Sequence, residues 1–218
     1  SPDGDANFPG AVTAVVTMKV TDDNAIDISY EAVTDKKTVI NMTNHTYFNL
    51  SGDPTRRVDD HLMQIDADNF TPVDFTFMTT GEILPVEGTP MDFRQPAAIG
   101  QDIKNFEFQQ VKFGNGFDHN WCLNTAGDDT KVAARAWCPE TGICLEVLTD
   151  EPGVQFYSGN FFDGTYNGKY GTAIKYRESL ALETQKHPDA INHEGFPSIV
   201  LNPDEVYTHV CIYKFYTK

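Results

Sequence analysis

The sequence predicts an all-β protein, and three observations carry that expectation. Apolar and polar residues alternate with a period of two in many short runs. Clusters rich in Gly, Pro, Asn and Asp separate the runs, and no window shows a capped helical repeat. Many strands punctuated in this way indicate a sandwich or barrel. The 218 residues suit one large β domain, 1–218, with no composition shift at which to divide it. A chain of that size buries roughly 70% of its unfolded surface.

The strands follow in order. Residues 11–20, AVTAVVTMKV, place Val12, Ala14, Val16, Met18 and Val20 on one face, and 25–32, AIDISYEA, do the same with Ile26, Ile28, Tyr30 and Ala32. The intervening TDDN is turn chemistry, so the two form a hairpin. A strand over 38–43, TVINMT, runs into NHTYFNLSG, where Asn41, Asn44 and Asn49 weaken it. Local rules tend to break where a site needs particular side chains. Residues 68–112 carry Pro72, Pro85, Pro90 and Pro96 and read as irregular, either lining a cleft or forming a long surface excursion. Further strands are predicted over 131–137, 143–149, 153–158, 179–184 and 206–217.

Lys and Arg number 16 against 32 Asp and Glu, a net charge of −16. That charge repels phosphate backbones and anionic lipid, so neither nucleic acid nor a membrane surface is an expected partner, whereas a neutral ligand is indifferent to it. No stretch approaches the ~18 apolar residues of a membrane-spanning helix. The four cysteines, 122, 138, 144 and 211, lack metal-site spacing. Cys138 and Cys144 flank the turn PETGI and are within reach of a bond across a hairpin, but the low count favours free thiols in a reducing, cytoplasmic compartment. Three overlapping glycosylation sequons at Asn41, Asn44 and Asn49 are read as chance matches.

Four stretches combine polar, aromatic and ionisable residues at predicted strand ends or in loops: 44–49, 114–121, 152–161 and 180–190. Glu183 lies on an otherwise apolar strand, so it faces either water or a pocket in which desolvation raises its pKa toward the general-base range. Asp118, between GNG and HNW, is either a turn residue or a sugar-hydroxyl acceptor beside an aromatic. His45 is either structural or chemical. No serine sits in a G-x-S-x-G elbow and no HxH or HExxH spacing occurs, so neither serine-nucleophile nor zinc chemistry is predicted.

The run TVINMTNHTYFNLSG resembles the signature of the aldose 1-epimerase (galactose mutarotase) family. The similarity continues in order through TGEILPVEGTPMDFR, GFDHNW, PGVQFYSGNF and LETQKHPDAINHEGFPSIVLNPDEVY, from about Phe8 onward. It implies an antiparallel β-supersandwich with an open sugar cleft, and interconversion of the α and β anomers of a free aldose such as galactose or glucose. By the same resemblance Glu183 matches the general base and His45 the general acid. Asp118 and Gln155 match sugar-hydroxyl ligands, Tyr47 lies beside the acid, and Phe48 and Phe156 are added as lining. No metal or other cofactor is implied.

One departure stands out. The resemblance begins in the middle of the family pattern, so the chain looks like the C-terminal part of a longer member. Nothing in it matches the N-terminal portion that supplies a further sugar-contacting His and an Arg or Asn. Sheet edges left open by that loss invite pairing or aggregation. Two other functions compete: a carbohydrate-binding module of the same fold without turnover, and a glycoside hydrolase using Glu183 and Asp118 as paired carboxyls. The sequence carries no signal for oligomeric state.

Overall fold

A computed structural model describes residues 1–168 and 171–218. In chain order the strands are β1 Val12–Val20, β2 Ala25–Thr34, β3 Thr38–Val39, β4 Tyr47–Phe48, β5 Leu62–Ile65 and β6 Asn69–Thr71. They continue with β7 Leu84–Pro85, β8 Ala97–Ala98, β9 Asp118–Cys122, β10 Val132–Trp137, β11 Ile143–Thr149 and β12 Gly153–Tyr157. The last five are β13 Asp163–Asn167, β14 Ala173–Lys175, β15 Leu180–Gln185, β16 Val200–Leu201 and β17 Tyr207–Thr217.

Two antiparallel sheets dominate. One has seven strands in the order β1-β2-β17-β11-β10-β5-β8, the other six in the order β4-β15-β12-β9-β6-β7. Both contribute to one core cluster. Ile28, Met63, Ile65, Ala136, Leu145, Val147 and Tyr213 come from the first sheet; Phe48, Phe70, Trp121, Val154, Phe156, Leu180 and Leu182 come from the second. Each large side chain buried here contributes about 1.5–3 kcal/mol relative to exposure. Tyr213 links the sheets: its ring meets Phe48 edge-on at 5.0 Å, and its hydroxyl donates to the Leu182 carbonyl at 2.7 Å. The tyrosine thus enters the core without an unpaired oxygen.

The all-β expectation holds, with differences of physical interest. The apolar face read into residues 11–20 is not packed: β1 is an edge strand, and Val16, Met18 and Val20 are exposed. The strand predicted over 38–43 stops at Val39, and pairing resumes only at Tyr47. The segment 68–112 contains β6, β7, β8 and the start of a short helix, α1 Gln109–Gly114. That helix is too short to show a hydrophobic repeat. It ends where Asn115 takes a left-handed φ of 50°. Its Gln110 side chain clamps Val73, accepting from the backbone N–H at 2.8 Å and donating to the carbonyl at 2.9 Å. All four cysteines are free thiols. No described helix is long and apolar enough to cross a membrane.

Candidate active site

The six-stranded sheet has one face in the core and one turned outward, and strand register decides which residue goes where. Directly opposed residues share a face. Gln155 on β12 lies opposite Glu183 on β15 and Asn120 on β9, while Tyr157 lies opposite Ala181 and Asp118. Tyr47 on β4 lies opposite Ala181. Tyr47, Asp118, Asn120, Gln155, Tyr157 and Glu183 therefore line the outer face. Phe48, His119, Trp121, Phe156, Leu180 and Leu182, one residue out of step, point into the core.

The register corrects one expectation. Phe48 and Phe156 are core residues rather than cleft lining: Phe156 is fully buried and packs on Phe93, Phe117 and Trp121. Gln155 and Glu183 lie inside the strands predicted over 153–158 and 179–184, and Asp118 opens β9.

The stretch around His45 explains its asparagines. The Asn41 amide donates to the Lys186 carbonyl at 2.9 Å and accepts from the Lys186 N–H at 3.0 Å. Asn44 accepts from both the backbone N–H and the hydroxyl of Thr46. Asn49 donates to the carbonyls of Arg56 and Glu178. These side chains replace ladder hydrogen bonds that a regular strand would have made. They hold residues 41–49 in a course that brings His45 beside β15.

There His45 Nε2 lies 3.2 Å from Glu183 Oε1; the imidazole is 46% exposed and the carboxyl only 10%. Burial, and secondarily the Asp118 carboxylate, push the Glu183 pKa up to about 8. Asp118 is also raised, chiefly by burial, against the opposing effects of the Gln155 hydrogen bond and His45. The Gln155 amide donates to Asp118 at 2.9 Å, while its own buried oxygen has no partner among the described residues. Tyr47 is 44% exposed, and its ring lies 4.8 Å from that of His45. All five sequence-predicted site residues thus meet on one face.

Sequence reasoning missed part of this surface. Tyr157 approaches both His45 and Tyr47 edge-on at 6.4 Å. Asn120 is buried on the floor, its amide 3.1 Å from His187 Nδ1 and 3.4 Å from the Thr71 hydroxyl. Its side-chain oxygen has no partner among the described residues and occupies the space above Gly153, where a Cβ would stand 2.4 Å from it. A polar residue between His119 and Trp121 in a strand was the available signal. His119, by contrast, is fully buried on the core face, where desolvation depresses its pKa to about 3.

Among the described residues, Asp150, Glu151 and His209 bring ligand atoms within 4.8 Å of one another, a grouping able to approach a metal ion. The Lys186 ammonium already serves it as a cation, donating to both Glu151 oxygens at 2.9 and 3.2 Å.

The family model described as aldose 1-epimerase matches residues 1–214. This chain belongs to the aldose 1-epimerase family. It is 41% identical to human galactose mutarotase over 215 residues, covering 99% of this chain and 60% of that one. It is 39% identical to aldose 1-epimerase of Escherichia coli strain K12, covering 99% and 62%. Among solved structures, the GalM/aldose epimerase homologue from C. elegans superposes with a TM-score of 0.87 at 30% identity, over 99% of this chain and 63% of that chain. The galactose 1-epimerase of Lactobacillus acidophilus NCFM gives 0.84 at 32% identity, over 100% and 60%. The chain therefore spans about three fifths of the length of the relatives it matches, and its sheets are those of the galactose mutarotase-like fold.

Proposed function

We propose that this chain interconverts the α and β anomers of a free aldohexose, galactose or glucose, by acid–base ring opening and closure. The observation that carries the proposal is the His45–Glu183 pair, 3.2 Å apart on a polar sheet face beside Asp118 and Gln155. Glu183 takes the proton from the C1 hydroxyl. The C1–O5 bond breaks, its electron pair passes to O5, and His45 delivers a proton there. Rotation about C1–C2 presents the other aldehyde face, and the same two groups return both protons. A carboxyl with its pKa near 8 is a stronger base than an ordinary carboxylate, which suits removal of a hydroxyl proton near neutrality. Concerted transfer avoids a free alkoxide or oxocarbenium ion.

Asp118 and Gln155 receive and orient ring hydroxyls, and Tyr47 supplies an aromatic wall beside the acid. The free thiols support a cytoplasmic setting. Polarimetry of freshly dissolved α-D-galactose tests the reading: relaxation faster than buffer supports it, and relaxation at the buffer rate overturns it.

The exposure of His45 and Tyr47, in a chain three fifths as long as its relatives, favours one alternative, sugar binding without turnover. In that case calorimetry registers galactose binding while the optical rotation relaxes at the buffer rate.

A further inference from the structure

The acid–base chemistry leaves a buried ion pair unused, that of Glu151 and Lys186. Glu151 lies between β11 and β12 with its carboxylate 2% exposed, and Lys186 follows directly on β15, three residues after Glu183. The ammonium donates to both Glu151 oxygens and lies 5.0 Å from the centre of the Tyr207 ring. The Tyr207 hydroxyl accepts from the Met42 N–H at 3.2 Å. The Lys186 backbone is held on both its N–H and its carbonyl by the Asn41 amide. One lysine thus ties down residues 41 and 42, the start of the stretch that carries His45.

Strand register shows what depends on that anchor. β4 pairs with β15 through Phe48 opposite Leu180 and Tyr47 opposite Ala181. Continuing this antiparallel register by two residues sets His45 opposite Glu183, where opposed side chains share a face. Residues 41–46 belong to no strand, so no ladder enforces the continuation. It is pinned at one end by the short ladder and at the other by Asn41 on Lys186. His45 lies between these two anchors. A buried ion pair is a weak source of stability beside apolar packing, and its better-attested use is to select one arrangement.

We propose that Lys186, paired with Glu151, is a positioning residue: it fixes the end of β15 and, through Asn41, the stretch that holds His45 within 3.2 Å of Glu183. Its effect on turnover rests on the acid–base reading above, whereas its effect on the place of His45 does not. Asp118 and Gln155 stand inside the β9–β12 ladder and keep their places when the anchor is lost. Proton transfer therefore suffers while sugar binding is spared.

Polarimetry tests the effect on turnover. Lys186→Met should lower kcat about tenfold with KM within about twofold. Lys186→Arg, whose guanidinium reaches both carboxylate oxygens and stacks on an aromatic ring, should recover most of the loss. Lys186→Met strands the Glu151 carboxylate in the interior, so Asn41→Ala, which keeps the ion pair and cuts only the clamp, is measured beside it. It should lose kcat to a similar extent, and the double variant should be no slower than Lys186→Met alone. Losses that multiply, or a KM that rises while kcat holds, overturn the role. A readout free of turnover is the NOE between the rings of His45 and Tyr157, whose centroids are 6.4 Å apart. It should lose most of its intensity in Lys186→Met and Asn41→Ala and persist in Lys186→Arg. That pattern in a chain without turnover overturns the epimerase reading and upholds the positioning. An NOE unchanged in Asn41→Ala and in folded Lys186→Met overturns the positioning, whether or not the wild type turns over.

Discussion

The two faces of the six-stranded sheet are built from the same strands and do opposite work. On β15, Leu180, Leu182 and Thr184 face the core, while Ala181 and Glu183 face outward. On β9, His119 and Trp121 face inward, and Asp118 and Asn120 face the site. The inner face gains chiefly from apolar contact, and the hydroxyl of Thr184 that it holds lies 2.8 Å from His209 Nε2. The outer face keeps Glu183, Asp118 and the Gln155 oxygen partly desolvated and incompletely paired, which is the condition under which a carboxyl becomes a useful base. A rigid inner face is what allows an unsatisfied outer one: the strands that carry the site are fixed by packing behind it.

The comparison is broken most severely by removing the base. Glu183→Gln should lower kcat by about 10²–10⁴-fold while sugar affinity stays within a few-fold, measured by polarimetry and calorimetry. Near-normal turnover would remove Glu183 from the mechanism. On the opposite face of the same strand, Leu182→Ala should cost about 2–5 kcal/mol in urea unfolding and leave kcat of the folded fraction unchanged. A third change sharpens the contrast between sequence neighbours. Asp118→Asn should reduce kcat/KM about tenfold through lost hydroxyl binding, whereas His119→Gln should register chiefly as lost stability.

The smallest effect concerns pH. Glu183 must be ionised to act, so kcat/KM should fall as pH drops through about 8, and this limb should vanish in the Gln variant. Because the folded-state pKa lies above the ordinary value of 4.5, the folded chain binds the extra proton between those pH values. Stability should therefore decline as pH rises through that window. Glu183→Gln should raise Tm at pH 9 by a few degrees and have little effect at pH 4, as differential scanning calorimetry can read.

The sequence showed much of this arrangement because a period of two is legible wherever one face is apolar. The strands at 143–149, 153–157, 180–185 and 207–217 fall close to their predicted bounds. The resemblance to the epimerase family brought together His45, Tyr47, Asp118, Gln155 and Glu183, which the residues alone left undecided. What stayed hidden depends on partners remote in sequence. Phe48 and Phe156 sit in the same motifs as site residues, and only the register shows that they face the core. The asparagines of 41–49 looked like strand defects until their bonds to Lys186, Arg56 and Glu178 were visible. Val16 and Met18 alternate like buried residues, and nothing local reveals that β1 lies at an edge.

The position of β17 bears on how the molecule is made. This eleven-residue strand follows every other in sequence, yet it lies between β2 and β11 in the middle of the larger sheet. During synthesis the β1–β2 hairpin and the β10–β11 hairpin emerge from the ribosome early and wait for the strand that joins them. At about 5–20 residues per second that delay lasts several seconds to tens of seconds, with two apolar hairpins uncovered. The middle of this sheet therefore closes only after β17 has been made. A nascent chain stalled before Tyr207 is the species most in need of a chaperone.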